Sequence, residues 1–127
     1  LGMLHQVEFT SNMTPKITVN NREKAFHQLS AGQTARVNFA LALSFADVRT
    51  RRYGKVNINL FDEVLDSGLD AVGVMLAAKL IKQRARENGT TTFVISHREE
   101  AVNMFDARLT VQVSQGFSNI VDTSTFS

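Results

Sequence analysis

Cysteine is absent from this sequence of 127 residues, so the chain forms no disulfide bond and offers no thiolate ligand to a metal. That absence suits a cytoplasmic protein. Long apolar runs are also missing, because the longest, residues 71–78, contains a glycine and is far too short to cross a bilayer. We find no secretory signal, internal repeat or low-complexity linker. The formal net charge of +2 is too small to indicate a nucleic-acid-binding protein by itself.

The residues that are present have the composition of one globular domain, with 43% apolar and 20% charged residues. In the middle of the chain, the order strand, helix, strand predicts a parallel crossover, and therefore an α/β fold. Residues 20–28 are polar, and we interpret them as a loop. The periodicity predicts strands over residues 2–9, 16–19, 56–61, 91–96, 108–113 and 117–121, and helices over residues 33–50, 69–88 and 98–105.

Both long helices have recognisable start signals. Ser30 and Gln33 fit a capping box at the start of the first helix, and Ser67 with Asp70 fits a similar box at the start of the second. Gly89 supplies a left-handed stop for the second helix. The predicted core stripe of that second helix consists of Leu69, Val72, Leu76 and Leu80.

Three segments carry residues suited to phosphate chemistry. The helix start LSAGQ leaves backbone N–H groups open to a phosphate. Asp62 and Glu63 end a strand at the edge where open α/β sheets bind ligands; one carboxylate can hold Mg²⁺ and the other can polarise a water. His97 ends the neighbouring strand and can reach a γ-phosphate. Each feature alone has a structural explanation as a cap, a turn or a surface histidine, so the order of all three carries the prediction.

In that order, the motifs resemble those of the C-terminal lobe of an ABC-type ATPase head. LSAGQ resembles the signature motif LSGGQ, INLFDE resembles Walker B, LDSGLD resembles the D-loop, and VISH resembles the switch-histidine loop. The resemblance implies a P-loop NTPase-like α/β lobe with parallel strands, flanking helices and small β elements at both ends. It also implies ATP and Mg²⁺ as cofactors. The implied site residues are Glu63 and His97 for catalysis, Asp62 for the metal, and Leu29, Ser30, Ala31, Gly32, Gln33, Ser67 and Asp70 for the nucleotide.

Two details favour one branch of this superfamily. Transporter domains usually have a proline after the Walker B glutamate, where this chain has Val64, and they have a helical subdomain where this chain has two predicted strands. The chain resembles the SMC-like DNA-repair ATPases, and among them the large subunit of phage and prokaryotic recombination endonucleases. That resemblance implies a second ATPase head as homodimer partner, a nuclease subunit and DNA, with no membrane. A transporter nucleotide-binding domain and a non-enzymatic ABC-fold interaction module are the alternatives.

The departures from the family pattern limit what this chain can do alone. No G-x-x-x-x-G-K-[ST] motif occurs, so the phosphate cradle of an N-terminal lobe is absent, and we expect residues 1–127 to be inactive as a single domain without that lobe and its coiled coil. Ala31 replaces a signature glycine. Asn57 and Asn59 interrupt an apolar strand and need hydrogen-bond partners if they are buried. A basic cluster could contact DNA, but we favour a solvated loop; its members are Arg49, Arg51, Arg52 and Lys55.

Overall fold

The computed structural model describes residues 5–125, so residues 2–4 of the first predicted strand lie outside the described part. Within residues 5–125 three small sheets form: β1, β2 and β3 are antiparallel, β4 and β5 are parallel, and β6 and β7 are antiparallel. The predicted α/β class, with β elements at both ends, is therefore confirmed. In chain order the elements are β1 (His5–Phe9), β2 (Pro15–Val19), β3 (Arg22–Lys24), a 3₁₀ turn (Phe26–Gln28), α1 (Ala31–Tyr53), β4 (Ile58–Asp62), α2 (Ala71–Asn88), β5 (Thr91–Ile95), α3 (Glu99–Val102), β6 (Ala107–Ser114) and β7 (Phe117–Thr125).

The predicted loop over residues 20–28 is wrong. Asn20 and Asn21 both have positive φ angles, 50° and 62°, so they form a tight hairpin turn that returns the chain onto β2 as β3. Asparagine tolerates this left-handed conformation better than most residues, which is why the pair serves here as a turn. β1 contacts α1 through the rings of Phe9 and Phe45, whose centroids are 6.2 Å apart.

The predicted start of the second helix is also wrong. The N-cap of α2 is Asp70, whose Oδ1 accepts a hydrogen bond from the Gly73 N–H at 2.8 Å. The Ser67 hydroxyl instead donates to the Val64 carbonyl at 3.0 Å, within the turn that precedes the helix. The stop at Gly89 is confirmed, with φ 63° and ψ 39°.

The core face of α2 differs in part from the predicted stripe, of which Leu69 is buried and Leu80 packs against the core. Val72 is 59% exposed, whereas Ala77 and Ala78 are fully buried. The buried face is turned away from the predicted one because α2 packs against α1, α3 and the parallel sheet together. Two alanines at the centre of this face allow the neighbouring elements to approach the helix closely. The central core contains Phe39 and Leu43 of α1, Leu65 and Leu69, Val74, Ala77, Ala78 and Ile81 of α2, and Ala101 of α3.

The last predicted helix is much shorter than expected. It ends at Val102 rather than near Phe105, because Asn103 leaves the helical conformation with ψ 3°. This turn brings Met104 and Phe105 into contact with the central core. Tertiary packing of two apolar residues therefore replaces the last turn of the predicted helix.

The parallel pair β4–β5 shows the predicted alternation, and the structure decides which face is covered. Phe61 packs against the core, whereas Ile58 and Leu60 are 56% and 64% exposed on the other face. Asn59 is half-buried on the covered face, and its Nδ2 donates to Thr90 Oγ1 at 3.2 Å. The expected need of this amide for a partner is confirmed.

We expect Leu65→Ala to destabilise the chain by about 2–5 kcal/mol, because Leu65 is fully buried in the turn between β4 and α2. Leu109→Ala is the matched control; Leu109 is 52% exposed, so its truncation should change the free energy of unfolding by about 0.5 kcal/mol or less. Chemical denaturation of both variants measures the difference. Equal effects would mean that the turn is not anchored in the core.

Candidate functional site

The LSAGQ segment begins α1 with the predicted capping box. Ser30 Oγ accepts from the Gln33 N–H at 3.3 Å, and Gln33 Oε1 accepts from the Ser30 N–H at 3.1 Å. Within the described residues, the N–H groups of Ala31 and Gly32 donate no hydrogen bond, as expected for the first turn of a helix. A Cβ placed on Gly32 would meet nothing within 4 Å, so the space beside this residue is open. Leu29, the residue before the cap, is half-buried.

This helix start has the chemistry of an anion site. The Ser30 hydroxyl uses a lone pair in the cap, and its proton remains available to a second acceptor. Ser30 itself is exposed, and the partial positive charge of the α1 N-terminus lies beside it. Capping and phosphate contact are therefore compatible at the same residue.

The acidic pair marks the point where β4 ends. Asp62 is its last residue, and the Glu63 N–H donates to the Ile95 carbonyl at 2.9 Å, which continues the ladder one residue further. Glu63 has φ 52°, a left-handed conformation that is strained for a residue with a Cβ. Glu63 therefore stands just beyond the last residue of β4, and this backbone angle sets the direction of its side chain.

Glu63 and His97 come together, as the sequence analysis predicted. His97 Nε2 lies 3.5 Å from Glu63 Oε1, and the two side chains are 82% and 62% exposed. The parallel pairing of Asp62 with Ile95 brings the two strand ends side by side, which places these motifs at one edge of the sheet. The pair faces solvent, where a substrate can reach both groups.

Asp66 is a member of this site that the sequence analysis did not single out. Its Oδ1 accepts from the Ser96 hydroxyl at 3.0 Å, and the His97 N–H lies 3.3 and 3.2 Å from Oδ1 and Oδ2. The Asp66 N–H donates to the Glu63 carbonyl at 3.0 Å. The turn after β4 is thereby bonded to the segment after β5. The only signal in the sequence was the position of Asp66 within LDSGLD.

Asp70 connects α2 to the signature helix. Arg36 Nη2 donates to both Asp70 carboxylate oxygens, at 2.6 and 2.8 Å. The Arg36 guanidinium and the Gly73 N–H hold the pKa of the Asp70 carboxyl below its usual value. A side chain at Gly73 would place its Cβ 2.7 Å from Asp70 Oδ1, so glycine is required for this cap. The interactions of Asp70 and Ser67 within residues 5–125 are structural ones.

Asp62, which the resemblance assigns to the metal, is the last residue of β4. It is exposed at the end of β4, and no group of three or more His, Asp or Glu side chains capable of holding a metal occurs in the described part of the chain. Mg²⁺ commonly keeps several waters and takes one or two carboxylates together with substrate phosphates. A single exposed carboxylate fits that mode of binding and does not make a complete site.

The basic cluster lies at the far end of α1. Arg51 and Arg52 belong to its last turn, so the predicted loop at these positions is wrong. The helix ends at Tyr53, with Gly54 as its C-cap. Cations at a helix C-terminus are favoured by the dipole. Arg51 and Lys55 line a cleft of about 360 Å³ with Asn88 and Thr90, at the opposite strand ends from Glu63 and His97.

Neither long helix of residues 5–125 has the length and apolarity needed to cross a bilayer.

Comparison with solved structures identifies the fold as that of SMC ATPase head domains. A structure from work on ATP-driven dimerization and DNA-stimulated activation of SMC ATPases has a TM-score of 0.70 and 24% identity, covering 99% of this chain and 74% of that one. An SmcHead bound to the C-winged helix domain of ScpA gives 0.70 and 22%, covering 98% and 38%. The SMC head domain from Thermotoga maritima gives 0.67 and 25%, covering 95% and 42%.

Sequence comparison gives a more particular resemblance. Exonuclease subunit 2 of Escherichia phage RB69 is 30% identical over 78 residues, which are 61% of this chain and 13% of the phage protein. The chain thus spans about an eighth of the length of that curated relative. No protein-family model matches the chain. The expected resemblance to an SMC-like ATPase lobe is confirmed.

Proposed function

We propose that this chain is the C-terminal lobe of an SMC-like ATPase head that hydrolyses ATP between two paired heads. The observation that carries the proposal is the pairing of Glu63 with His97 at the ends of two parallel strands, within an SMC head fold. A carboxylate and an imidazole 3.5 Å apart can hold and move the proton of an attacking water. The open helix start at Ser30 adds the donors that a phosphate needs.

Each residue then has a distinct task. Glu63 acts as the general base toward water, and His97 contacts the γ-phosphate. Asp62 supplies the carboxylate for Mg²⁺, whose role is to neutralise charge on the phosphates. The backbone of Ala31 and Gly32 and the Ser30 hydroxyl bind the nucleotide of the partner head. Leu29 and Gln33 support that helix start, whereas Ser67 and Asp70 form the segment that faces the partner nucleotide.

Exposed apolar residues on the outer face of β4–β5 support the proposal that the same head contains a second lobe. Leu60, Phe93 and Ile95 are 64%, 47% and 47% exposed on adjacent strands, which is unusual for the face of a parallel sheet. An N-terminal lobe that supplies the missing phosphate cradle would cover this surface. The proposed complete head therefore contains two lobes, of which this chain is one.

We further propose that the complete protein acts in DNA double-strand-break repair, in the cytoplasm, with a nuclease subunit at DNA ends. The similarity to a phage exonuclease subunit supports this assignment. The antiparallel sheet β1–β3, which precedes α1, also fits the SMC-like branch, since transporter domains have a helical subdomain there. Nuclease access would change as the paired heads close on ATP and open after hydrolysis.

Residues 1–127 alone should bind Mg-ATP only weakly and hydrolyse none, because the sequence has no phosphate loop. Isothermal calorimetry and a phosphate-release assay test this expectation. Hydrolysis should appear only when the chain is part of a protein that contains the cradle. Micromolar affinity for Mg-ATP in the isolated chain would contradict the two-lobe proposal.

A further inference from the structure

We propose that Asp66 is a positioning residue that holds His97 beside Glu63. This inference rests on the proposed ATPase function and extends it to a residue that does not contact the nucleotide. Asp66 lies three residues after Glu63, and its carboxylate reaches across to the segment that carries His97. One side chain thus joins the turn after Glu63 to the segment that carries His97.

The His97 side chain has little else to fix its position. It is 82% exposed, and among the described residues its imidazole Nε2 lies 3.5 Å from Glu63 Oε1. The backbone of His97 lies just beyond β5, so the ladder with β4 no longer restrains it. The His97 N–H donates to the Asp66 carboxylate, with both oxygens within 3.3 Å of the nitrogen. This hydrogen bond fixes the position of the backbone from which the imidazole extends.

Two neighbouring residues extend the arrangement. Ser96 Oγ donates to Asp66 Oδ1 at 3.0 Å and accepts from the Arg98 N–H at 3.0 Å. Arg98 Nη1 donates to the Leu69 carbonyl at 3.3 Å, close to the start of α2. The segment from Ser96 to Arg98 is therefore bonded at both ends to the turn that follows Glu63.

The other side of the arrangement is equally restrained. The turn that contains Asp66 is anchored by the fully buried Leu65, and its Glu63 carbonyl accepts the Asp66 N–H. A carboxylate held in this way keeps Glu63 and His97 at a fixed distance from each other. Since a displacement of about 1 Å can cost roughly 100-fold in rate, loss of this carboxylate should lower turnover without removing any catalytic group.

The test compares Asp66→Ala with Asp66→Asn in the full-length ATPase. We expect Asp66→Ala to lower kcat about 10-fold or more, with KM for ATP within about threefold, because the nucleotide contacts are intact. Asp66→Asn should recover part of the rate, since its amide oxygen still accepts one hydrogen bond. Asp106→Ala is the control; it removes a carboxylate that pairs with Lys82 and Arg86, and should leave kcat unchanged.

A double-mutant cycle with His97→Ala separates positioning from a general structural effect. In the His97→Ala background, Asp66→Ala should change kcat by less than about twofold, because the group that it positions is gone. Hydrogen exchange at the His97 amide provides a readout that does not require ATP hydrolysis, and Asp66→Ala should accelerate it about 10-fold or more. Full additivity of the two substitutions, or unchanged exchange at this amide, would overturn the inference.

Failure of this inference and failure of the proposed function give different results. If Glu63→Gln and His97→Ala both leave hydrolysis intact, the proposed function is wrong and the inference falls with it. If those two variants slow hydrolysis strongly and Asp66→Ala does not, only the positioning role is wrong. Melting temperatures of all variants show whether a lost rate reflects unfolding.

Discussion

Glu63→Gln should slow ATP hydrolysis by the complete head roughly 100-fold or more while preserving ATP-dependent pairing of heads. An amide cannot accept a proton from water, yet it has nearly the size and shape of the carboxylate. The left-handed conformation at this position, φ 52°, is the same strain for both side chains, so stability should change little. Single-turnover phosphate release and analytical ultracentrifugation with Mg-ATP measure the two quantities.

The control for this substitution is Glu87→Gln. Glu87 lies on α2, where its Oε1 accepts from Gln83 Nε2 at 2.7 Å, away from the motifs. Glu87→Gln makes the same chemical change in the same protein and should leave the rate of ATP hydrolysis unaffected. Near-normal hydrolysis by Glu63→Gln would remove Glu63 from the role of general base, and would shift attention to His97, 3.5 Å away, as the group that activates water.

Ser30→Arg should abolish ATP-driven association of two heads and leave ATP binding by a single head nearly intact. In the proposed two-lobe head, the phosphate cradle would be separate from the signature helix, so the substitution would not touch the nucleotide held in the same head. A bulky cation at the exposed start of α1 would instead occupy the space where the phosphate of the partner head docks. The hydroxyl contact to that phosphate would also be lost. Ultracentrifugation with Mg-ATP, nucleotide affinity and melting temperature together measure this outcome.

Two further variants separate association from the stability of α1. Loss of the Ser30 cap costs about 1 kcal/mol, whereas Ser30→Gly costs only a few tenths and still removes the hydroxyl. Gly32→Ala should keep or raise the melting temperature, since a Cβ there meets nothing within 4 Å and alanine is the better helix former. The same methyl group would obstruct a partner's phosphate, so association should weaken. Folded Ser30→Arg heads that pair as well as the parent would leave Ser30 with the capping role alone.

The local chemistry of the sequence predicted much of this molecule. Ser30 and Gln33 form the expected capping box because both bonds lie within one turn of chain, and Gly89 ends α2 because only local backbone geometry is involved. The alternation in β4 also followed from a short-range pattern. The approach of Glu63 to His97 followed from the predicted parallel crossover, since parallel strands bring their carboxyl ends to one edge.

Tertiary packing decided the features that depend on distant partners. Asp70 replaced Ser67 as the cap of α2 because Arg36, on another helix, holds its carboxylate, and Gly73 leaves room for it. The buried face of α2 centres on Ala77 because three neighbouring elements pack there. Periodicity alone does not predict which side of the helix those elements contact.

Asp66 shows the same limit within the candidate site. The sequence by itself determined which residue types stand at the ends of β4 and β5, and therefore the chemistry available there. It did not determine that Asp66 would hold the segment of His97, because its partner Ser96 is 30 residues away along the chain. Only the folding of both strands into one parallel pair brings that carboxylate within hydrogen-bonding distance, since a hydrogen bond requires two atoms about 3 Å apart and no local rule specifies such a long-range separation.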